Sequence, residues 1–336
     1  MTVTTKEDLP FSGPVPYSGC MTTLYPLQVL AVVFVLLHLV TPLEAYMLPG
    51  RTLDCRYEVA DLASEPGEES SGYDLIVPRD DVFRPLLADM KEPRFYGSWR
   101  RTRFDTTGMT VREDEDWISL GAVGVGGRFG LWSRRQQSTC NGYQVGIEGG
   151  VFSQFNLTSP GKDLLNSDYV VGLPVTYRRD RFSARLRIFH QSSHLGDEFM
   201  IKRPEIVRRS ISFEGVDLVV SAHEDWWRFY GGPGYIFNTL TEISPWYGRF
   251  GMEFFGAPFT WGMPGRSYLY PVGAVDVSSY QDHGWSPTTS IKAGLDWSVE
   301  RHFRILFAYL RGFNPFSQFF TRERVENYGI ELQFEF

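Results

Sequence analysis

The chain ends on Tyr328-Gly-Ile-Glu-Leu-Gln-Phe-Glu-Phe336, where apolar and polar side chains alternate up to the last residue. Successive side chains of a β-strand point to opposite faces, so Tyr328, Ile330 and Leu332 share one face and the glutamates lie on the other. A strand with one apolar face that closes on an aromatic residue is typical of bacterial outer-membrane β-barrels. The stretch therefore predicts such a barrel, with one face of each strand turned to lipid.

The composition agrees with this prediction. Hydrophobic residues make up 43% of the 336 residues and aromatic residues 15%. A chain with this hydrophobic fraction is too polar for a helical membrane protein. Polar side chains that line a barrel lumen offset the lipid-facing ones, so the average hydropathy of a barrel is ordinary. The formal net charge of −7 argues against a nucleic-acid partner.

One apolar stretch, Leu24–Val40, lies near the start of the chain and is followed by Thr41-Pro-Leu-Glu-Ala45. This order predicts a secretory signal region over residues 1–45 with cleavage after Ala45, and Met21 is an alternative start. A retained N-terminal anchor is the other interpretation. After cleavage two cysteines remain, Cys55 and Cys140, and an oxidising compartment favours a disulfide between them.

From residue 93 onward the sequence repeats one unit, a partly alternating run of about ten residues followed by a polar or Gly/Pro-containing break. Twelve such runs predict an antiparallel barrel of about 12 strands over residues 93–336, with ten or fourteen strands as alternatives. The runs are Phe95–Phe104, Trp117–Trp132, Tyr143–Asn156, Tyr169–Tyr177, Phe182–Ser193, Ser210–Ser221, Trp226–Phe237, Trp246–Phe255, Leu269–Ser279, Thr289–Trp297, Phe303–Arg311 and Asn327–Phe336.

An even strand number places both termini on one side of the membrane, which in bacteria is the periplasm. Most of the breaks that this topology places outside are long and most of those inside are short. The prediction for residues 46–92, which show no strand pattern, is a periplasmic lead-in, and a functional plug is the alternative. The Arg, Glu and Gln residues of the lumen face predict a barrel that is largely filled.

The fifth run carries the candidate chemistry. Arg185 and Arg187 send its odd-numbered face to the lumen, so His190 and Ser192 lie on the lipid-facing exterior, near the end of the strand at the cell surface. These two side chains stand about 6.6 Å apart along the strand, within reach of a leaning imidazole.

A hairpin centred near Lys202 would pair Ser192 with Ser212 and His190 with Glu214. The set then contains a nucleophile, a base and a group that orients the base. Asp217, Asp197 and Glu198 are alternative partners for the histidine. Polar decoration of the barrel rim is the non-catalytic interpretation, because polar residues are tolerated there.

This arrangement resembles that of two enzyme families. His190-Gln-Ser192 resembles the His-x-Ser pair on the barrel exterior of outer-membrane phospholipase A and of the lipid A 3-O-deacylase, where an Asn or Glu on a neighbouring strand completes the site. In that comparison Glu214 corresponds to the acidic member of the deacylase. The resemblance implies acyl-ester hydrolysis of a membrane lipid, although the Ser-Asn-Gly continuation of the phospholipase is absent here.

A broader resemblance covers residues from about Phe83 to the C-terminus. Gly149-Gly-Val-Phe-Ser-Gln-Phe155, Asp168-Tyr-Val-Val-Gly-Leu-Pro-Val-Thr-Tyr-Arg-Arg179 and the stretch Ser183–Phe199 resemble a bacterial outer-membrane family called domain of unknown function 1207. The resemblance implies a barrel and an outer-membrane location. It implies no activity, because none is established for that family.

The sequence thus predicts a lipid acyl hydrolase acting on lipid A or phospholipid, with a small channel or a structural envelope barrel as alternatives.

A basic cluster after the fifth run would bind lipopolysaccharide phosphates; it consists of Lys202, Arg203, Arg208 and Arg209. No metal site and no cofactor are expected, although backbone N–H groups, an arginine or Ca²⁺ are open alternatives for stabilising the oxyanion. The strand ending at Phe336 predicts recognition by the barrel-assembly machinery.

Overall fold

The computed structural model describes residues 72–78, 81–104, 117–136, 141–204, 210–259, 268–298, 302–319 and 323–335. No helix in these ranges is long and apolar enough to cross a membrane. The predictions that concern the signal region, the Cys55–Cys140 disulfide, Arg208 and Arg209, and the terminal Phe336 lie outside the described residues.

The described residues form thirteen β-strands and one short α-helix. The strands are β1 (Tyr73–Ile76), β2 (Phe95–Phe104), β3 (Ile118–Arg135), β4 (Gly142–Asn156), β5 (Leu164–Arg179), β6 (Phe182–Leu195), β7 (Ile211–His223), β8 (Trp227–Thr239), β9 (Trp246–Phe255), β10 (Tyr268–Tyr280), β11 (Pro287–Ser298), β12 (His302–Phe313) and β13 (Arg324–Glu335). Helix α1 (Asp197–Lys202) lies between β6 and β7, and a 3₁₀ turn (Gln281–His283) lies between β10 and β11.

Strands β2 to β13 close into an antiparallel barrel of twelve strands, each paired with its neighbours in the chain. The ring closes where β13 pairs with β2, from Val325 opposite Phe104 to Phe334 opposite Phe95. The predicted fold class is therefore confirmed, and each of the twelve predicted runs corresponds to one barrel strand.

Alternation along the strands separates an apolar exterior from a polar interior. On β6 the odd residues, including Arg185 and Arg187, are buried, whereas Leu186 and Ile188 are exposed. Aromatic side chains lie near both ends of the outer surface, Trp117 and Tyr328 at one end and Trp132 and Trp297 at the other. An apolar outer band flanked by two aromatic girdles is the surface that a barrel presents to lipid.

The connections differ between the two ends of the barrel. At the end that we call the loop end, the connections include residues 105–117, 196–210 and 314–323. At the turn end most connections are short, such as residues 180–181, 224–226 and 299–301, while residues 256–267 form a longer one. In bacterial outer-membrane barrels long loops face the exterior and short turns face the periplasm.

A stretch between β1 and β2, residues Val82–Arg94, fills the lumen, and we call it the inner segment. Phe83 and Leu86 are fully buried. The Leu87 amide donates to Glu253 Oε1 on β9 (2.7 Å), and Arg94 Nη1 donates to Gln333 Oε1 on β13 (2.9 Å). Because its partners lie on strands far apart around the ring, the inner segment is inside the barrel.

The inner segment is also bound by charge. Glu92 lies between Arg128 of β3 and Arg185 of β6, whose Nη1 is 2.8 Å from Glu92 Oε1. Asp89 pairs with Arg249 of β9, and Lys91 pairs with Asp168 of β5. Inward-facing arginines would be costly in a closed lumen without counter-charges, and the inner segment supplies two of them, Asp89 and Glu92.

Residues 46–92 are expected from the sequence to form a periplasmic lead-in, but the structure places the last part of this range, from Val82 onward, inside the barrel. Strand β1 pairs with the turn end of β3, from Tyr73 opposite Arg135 to Ile76 opposite Trp132, and β2 pairs with the same edge of β3 nearer the loop end. Between these two strands the chain leaves the wall and enters the lumen. The filled lumen agrees with the expectation, but a segment of the chain fills it together with the wall side chains.

Candidate active site

The β6–β7 hairpin positions the residues that the sequence singled out. His190 lies opposite Glu214, and Ser192 lies opposite Ser212. The predicted register across the long connection is therefore confirmed. Directly opposed residues of an antiparallel pair share a face, so all four side chains point the same way.

That face is the outside of the barrel. The side chains of His190 and Glu214 are 41% and 33% exposed, and Ser192 is also partly exposed. Towards the turn end the same face continues with Ile188 and Leu218, which are exposed and apolar. The polar group thus stands at the loop-end border of the apolar band, where a lipid headgroup would meet its acyl chains.

His190 and Glu214 form a hydrogen-bonded pair. Imidazole Nδ1 lies 2.7 Å from Glu214 Oε1. A carboxylate oxygen accepts hydrogen bonds, so in this pair Nδ1 is the donor and Nε2 is the ring nitrogen that Glu214 does not engage. A histidine held in this tautomer can take a proton from a hydroxyl through Nε2.

Asn238 on β8 holds the second oxygen of the same carboxylate. Its Nδ2 donates to Glu214 Oε2 at 2.6 Å. A register shift in the β7–β8 pairing between Glu214 and Gly215 leaves Asn238 directly opposite Glu214. Both carboxylate oxygens are therefore bound, one by His190 and one by Asn238, so the rotation of the carboxylate is restricted.

Ser192 is placed beside this pair without being bonded to it. Within the described part of the chain, its hydroxyl makes no hydrogen bond to His190. Positions i and i+2 of a strand stand about 6.6 Å apart at the backbone, and hydrogen bonds of a catalytic group are often long before substrate binds. Tyr169, opposite Ser192 on β5, is exposed, and its ring contacts His194 with centroids 5.9 Å apart.

The lumen side of the same strand segment is firmly held. Ser193 donates to Asp168, which also pairs with Lys91 of the inner segment. The Gln318 side chain donates to the Ser193 carbonyl at 2.8 Å, and Gln191 donates to Ser317. The backbone that carries Ser192 is therefore fixed from inside by the inner segment and by the loop after β12.

The structure rejects one alternative partner for His190. Asp217 points into the lumen, where Arg187 donates to both of its carboxylate oxygens. Asp197 and Glu198 lie in helix α1 and are exposed. Glu214 is the acidic residue that the structure bonds to His190.

In the basic cluster after β6, the structure pairs one of the positive charges that the sequence suggested were available for phosphate. Lys202 Nζ lies 2.5 Å from Asp163 Oδ2, so a carboxylate of the chain itself already neutralises this charge. Arg203 is partly buried, and Arg208 and Arg209 are outside the described residues. Binding of phosphate by this cluster stays a prediction.

Asn238 is the residue that sequence reasoning missed. It follows the predicted seventh run, Trp226–Phe237, and its alignment with Glu214 depends on the shift in the β7–β8 pairing. A single sequence does not show where a bulge falls. The one available signal was an amide side chain at the loop end of the next strand.

The chain is similar to several solved outer-membrane proteins. The outer-membrane phospholipase dimer of Salmonella typhi with bound calcium is 12% identical, with a TM-score of 0.45 over 73% of this chain and 92% of that one. Outer membrane phospholipase A from Escherichia coli gives 11% identity and a TM-score of 0.46, covering 73% and 91%. The β-domain of the Bordetella autotransporter BrkA gives 12% and 0.37, covering 73% and 99%.

No curated protein matches the chain in sequence. One family does. The sequence pattern of the family described as "Protein of unknown function (DUF1207)" matches residues 69–336, which include the inner segment and the whole barrel. The chain therefore belongs to this family of unknown function.

Proposed function

We propose that this protein is a serine hydrolase that cleaves acyl esters of lipids in the outer leaflet of the outer membrane. The observation that carries the proposal is the His190–Glu214 pair on the lipid-facing exterior, next to Ser192. A histidine oriented by a carboxylate has little structural purpose on a surface that meets acyl chains, whereas a lipid ester would lie directly against it.

In the first step the Ser192 hydroxyl attacks the ester carbonyl while His190 Nε2 takes its proton. Collapse of the tetrahedral intermediate breaks the ester bond, and His190 returns the proton to the leaving alcohol. Water then hydrolyses the acyl-serine by the same route and releases the fatty acid. Glu214 holds the ring and stabilises its cation, and Asn238 holds Glu214.

The proposal includes the location and orientation of the barrel. The fold is that of outer-membrane β-barrels, and the apolar band between two aromatic girdles supports insertion in a bilayer. Long connections at the loop end support an outward-facing site and periplasmic termini. In that orientation the substrate is lipid A or a phospholipid of the outer leaflet.

A non-enzymatic barrel is the competing function, either as a small channel or as a structural envelope protein. The inner segment argues against the channel, because it occupies the lumen with buried apolar and paired charged residues. A structural barrel would require neither the tautomer of His190 nor the second bond to Glu214.

The test is mass spectrometry of lipid A and phospholipids from cells that express the wild type, Ser192→Ala or Ser212→Ala at equal levels of folded protein. The proposal expects deacylated products with the wild type, and their loss in Ser192→Ala. Ser212→Ala is the matched control, since Ser212 lies opposite Ser192 on the same outer face.

Identical lipid profiles with and without folded wild-type protein would contradict the hydrolase. Loss of products in Ser212→Ala with retention in Ser192→Ala would contradict the assignment of the nucleophile.

A further inference from the structure

Half-way around the ring from the candidate active site, four arginines lie on the exterior of three neighbouring strands. They are Arg101 and Arg103 on β2, Arg311 on β12 and Arg324 on β13, and we call them the basic rim. On β13 the even residues Tyr328 and Ile330 are exposed, so Arg324 shares the outer face with them. The register brings the strands together at this height, with Tyr328 opposite Arg101.

The strands around the basic rim provide few carboxylates to balance its positive charges. Glu326 is the one carboxylate that the described residues of β11, β12, β13, β2 and β3 place on this outer face. Its Oε2 is 2.8 Å from Arg103 Nη2, and it lies opposite Arg311 on the other side. Four guanidinium groups against one carboxylate leave about three positive charges in excess.

Aromatic side chains frame these arginines. The Arg103 guanidinium lies over the Trp117 ring and that of Arg324 over the Phe313 ring, each 5.2 Å from the centroid. The Trp117 and Tyr328 rings are 5.5 Å apart at their centroids. This packing orients Arg103 and Arg324 at the loop-end border of the apolar band, which matches the headgroup level of a lipid monolayer.

Immediately towards the turn end the outer face becomes apolar, with Trp99, Phe307 and Ile330 exposed. An occupant must therefore combine acyl chains with a strongly anionic head. Arginine binds phosphate through two parallel hydrogen bonds, more specifically than lysine does.

The number of arginines and the width over which they are spread indicate how many phosphate groups the bound lipid carries. Adjacent strands lie about 4.8 Å apart, so the three strands that carry the arginines span about 10 Å. A head that carries two phosphates matches the charge and width of this set better than the single phosphate of a glycerophospholipid does. We propose that the basic rim is a binding site for a lipid with two phosphate groups on one head, the chemistry of the lipid A part of lipopolysaccharide.

The site is independent of catalysis, because it lies on β12, β13 and β2 whereas His190 and Ser192 lie on β6. A competing partner exists within the chain. Residues Glu113-Asp114-Glu115-Asp116 precede Trp117 in sequence and lie outside the described residues. The experiment has to separate this acidic run from a lipid.

The measurement is native mass spectrometry of the detergent-purified full chain with three probes: bisphosphorylated lipid A, monophosphorylated lipid A and phosphatidylglycerol. We expect one tightly held bisphosphorylated lipid A per barrel, with the other two probes held at least tenfold more weakly. This comparison uses only the wild type, so it does not depend on the folding of any variant.

The double variant Arg101→Gln/Arg311→Gln is expected to weaken retention of bisphosphorylated lipid A by roughly a hundredfold, since each charge-assisted contact contributes about a factor of ten. Arg179→Gln, an exposed arginine at the turn end, is the control and should change nothing. Equal retention of all three probes by the wild type would overturn the proposal. So would lipid binding that appears only when Glu113, Asp114, Glu115 and Asp116 are replaced by amides, because the arginines would then serve the chain's own loop.

Discussion

The carboxylate of Glu214 receives two hydrogen bonds from two different strands, and this makes it the residue whose chemistry is easiest to test. An amide in its place cannot accept from both His190 and Asn238, because one of its two polar atoms is a donor. Glu214→Gln therefore either releases Asn238 or favours the wrong tautomer of His190.

We expect Glu214→Gln to lower kcat/KM for ester hydrolysis in mixed micelles by about 10²- to 10⁴-fold, as loss of the orienting carboxylate does in serine hydrolases. Asn238→Ala, which only loosens Glu214, should lower it by about three- to tenfold. Asn238→Asp should also change the pH profile, because it sets a second carboxylate beside the first. Equal rates for the wild type and Glu214→Gln would show that the pair has no part in turnover.

Glu323, in the loop between β12 and β13, carries a second testable property. Its carboxylate is fully buried, and burial raises its pKa to about 8. The folded loop therefore prefers the protonated acid. This contribution to stability is fully present below the unfolded-state pKa of about 4.5 and is lost as pH rises through 8.

Raising the pH from 5 to 9 should accordingly weaken the protection of residues 314–319, by up to about 4 kcal/mol for a shift of this size. Hydrogen exchange, corrected for the intrinsic effect of pH, measures that protection. In Glu323→Gln the dependence on pH should disappear. A wild-type loop equally protected at both pH values would mean that Glu323 is ionised throughout.

The inner segment is the element on which the barrel interior depends. Glu92 contacts Arg128 and Arg185, and both arginines are almost completely buried. Removal of one charge from a buried network leaves its partners uncompensated, which costs about 3–5 kcal/mol.

Glu92→Gln should therefore lower the free energy of unfolding in detergent and urea by about 3 kcal/mol. Glu224→Gln is the matched control, because its pair with Arg181 is exposed and such pairs contribute at most about 1 kcal/mol. If the two variants are equally stable, the inner segment does not rely on its charges.

The strands were predictable and the inner segment was not, for a physical reason. A barrel strand has one face in lipid and one in the lumen. Its apolar and polar residues therefore alternate along the strand itself and can be recognised from a short stretch of sequence, as in β6 and β13. The His190–Glu214 register could be inferred because it follows from the centre of one hairpin. By contrast, Phe83 and Leu86 have no strand period, and they pack against Val219 of β7 and Tyr230 of β8, which lie more than a hundred positions away.

At the scale of the whole molecule, the filled lumen predicts a barrel that does not conduct. In planar bilayers the wild type should show no steady single-channel current, because buried apolar side chains and paired charges occupy the lumen. Replacement of residues 82–91 by a Gly/Ser linker should open a conductance in the fraction that folds. Stable channels in the wild type would favour the channel function over the hydrolase.

The central claim is that Ser192 is a nucleophile activated by His190, and a fluorophosphonate with an alkyl chain tests it most directly. Incubated with the folded protein in detergent, the probe should add one phosphonyl group to the peptide that contains Ser192. We expect full labelling in the wild type and in Ser212→Ala, strongly slowed labelling in His190→Ala, and none in Ser192→Ala. A folded wild type that takes up no label, or a Ser192→Ala variant that is labelled as fast as the wild type, would contradict the claim.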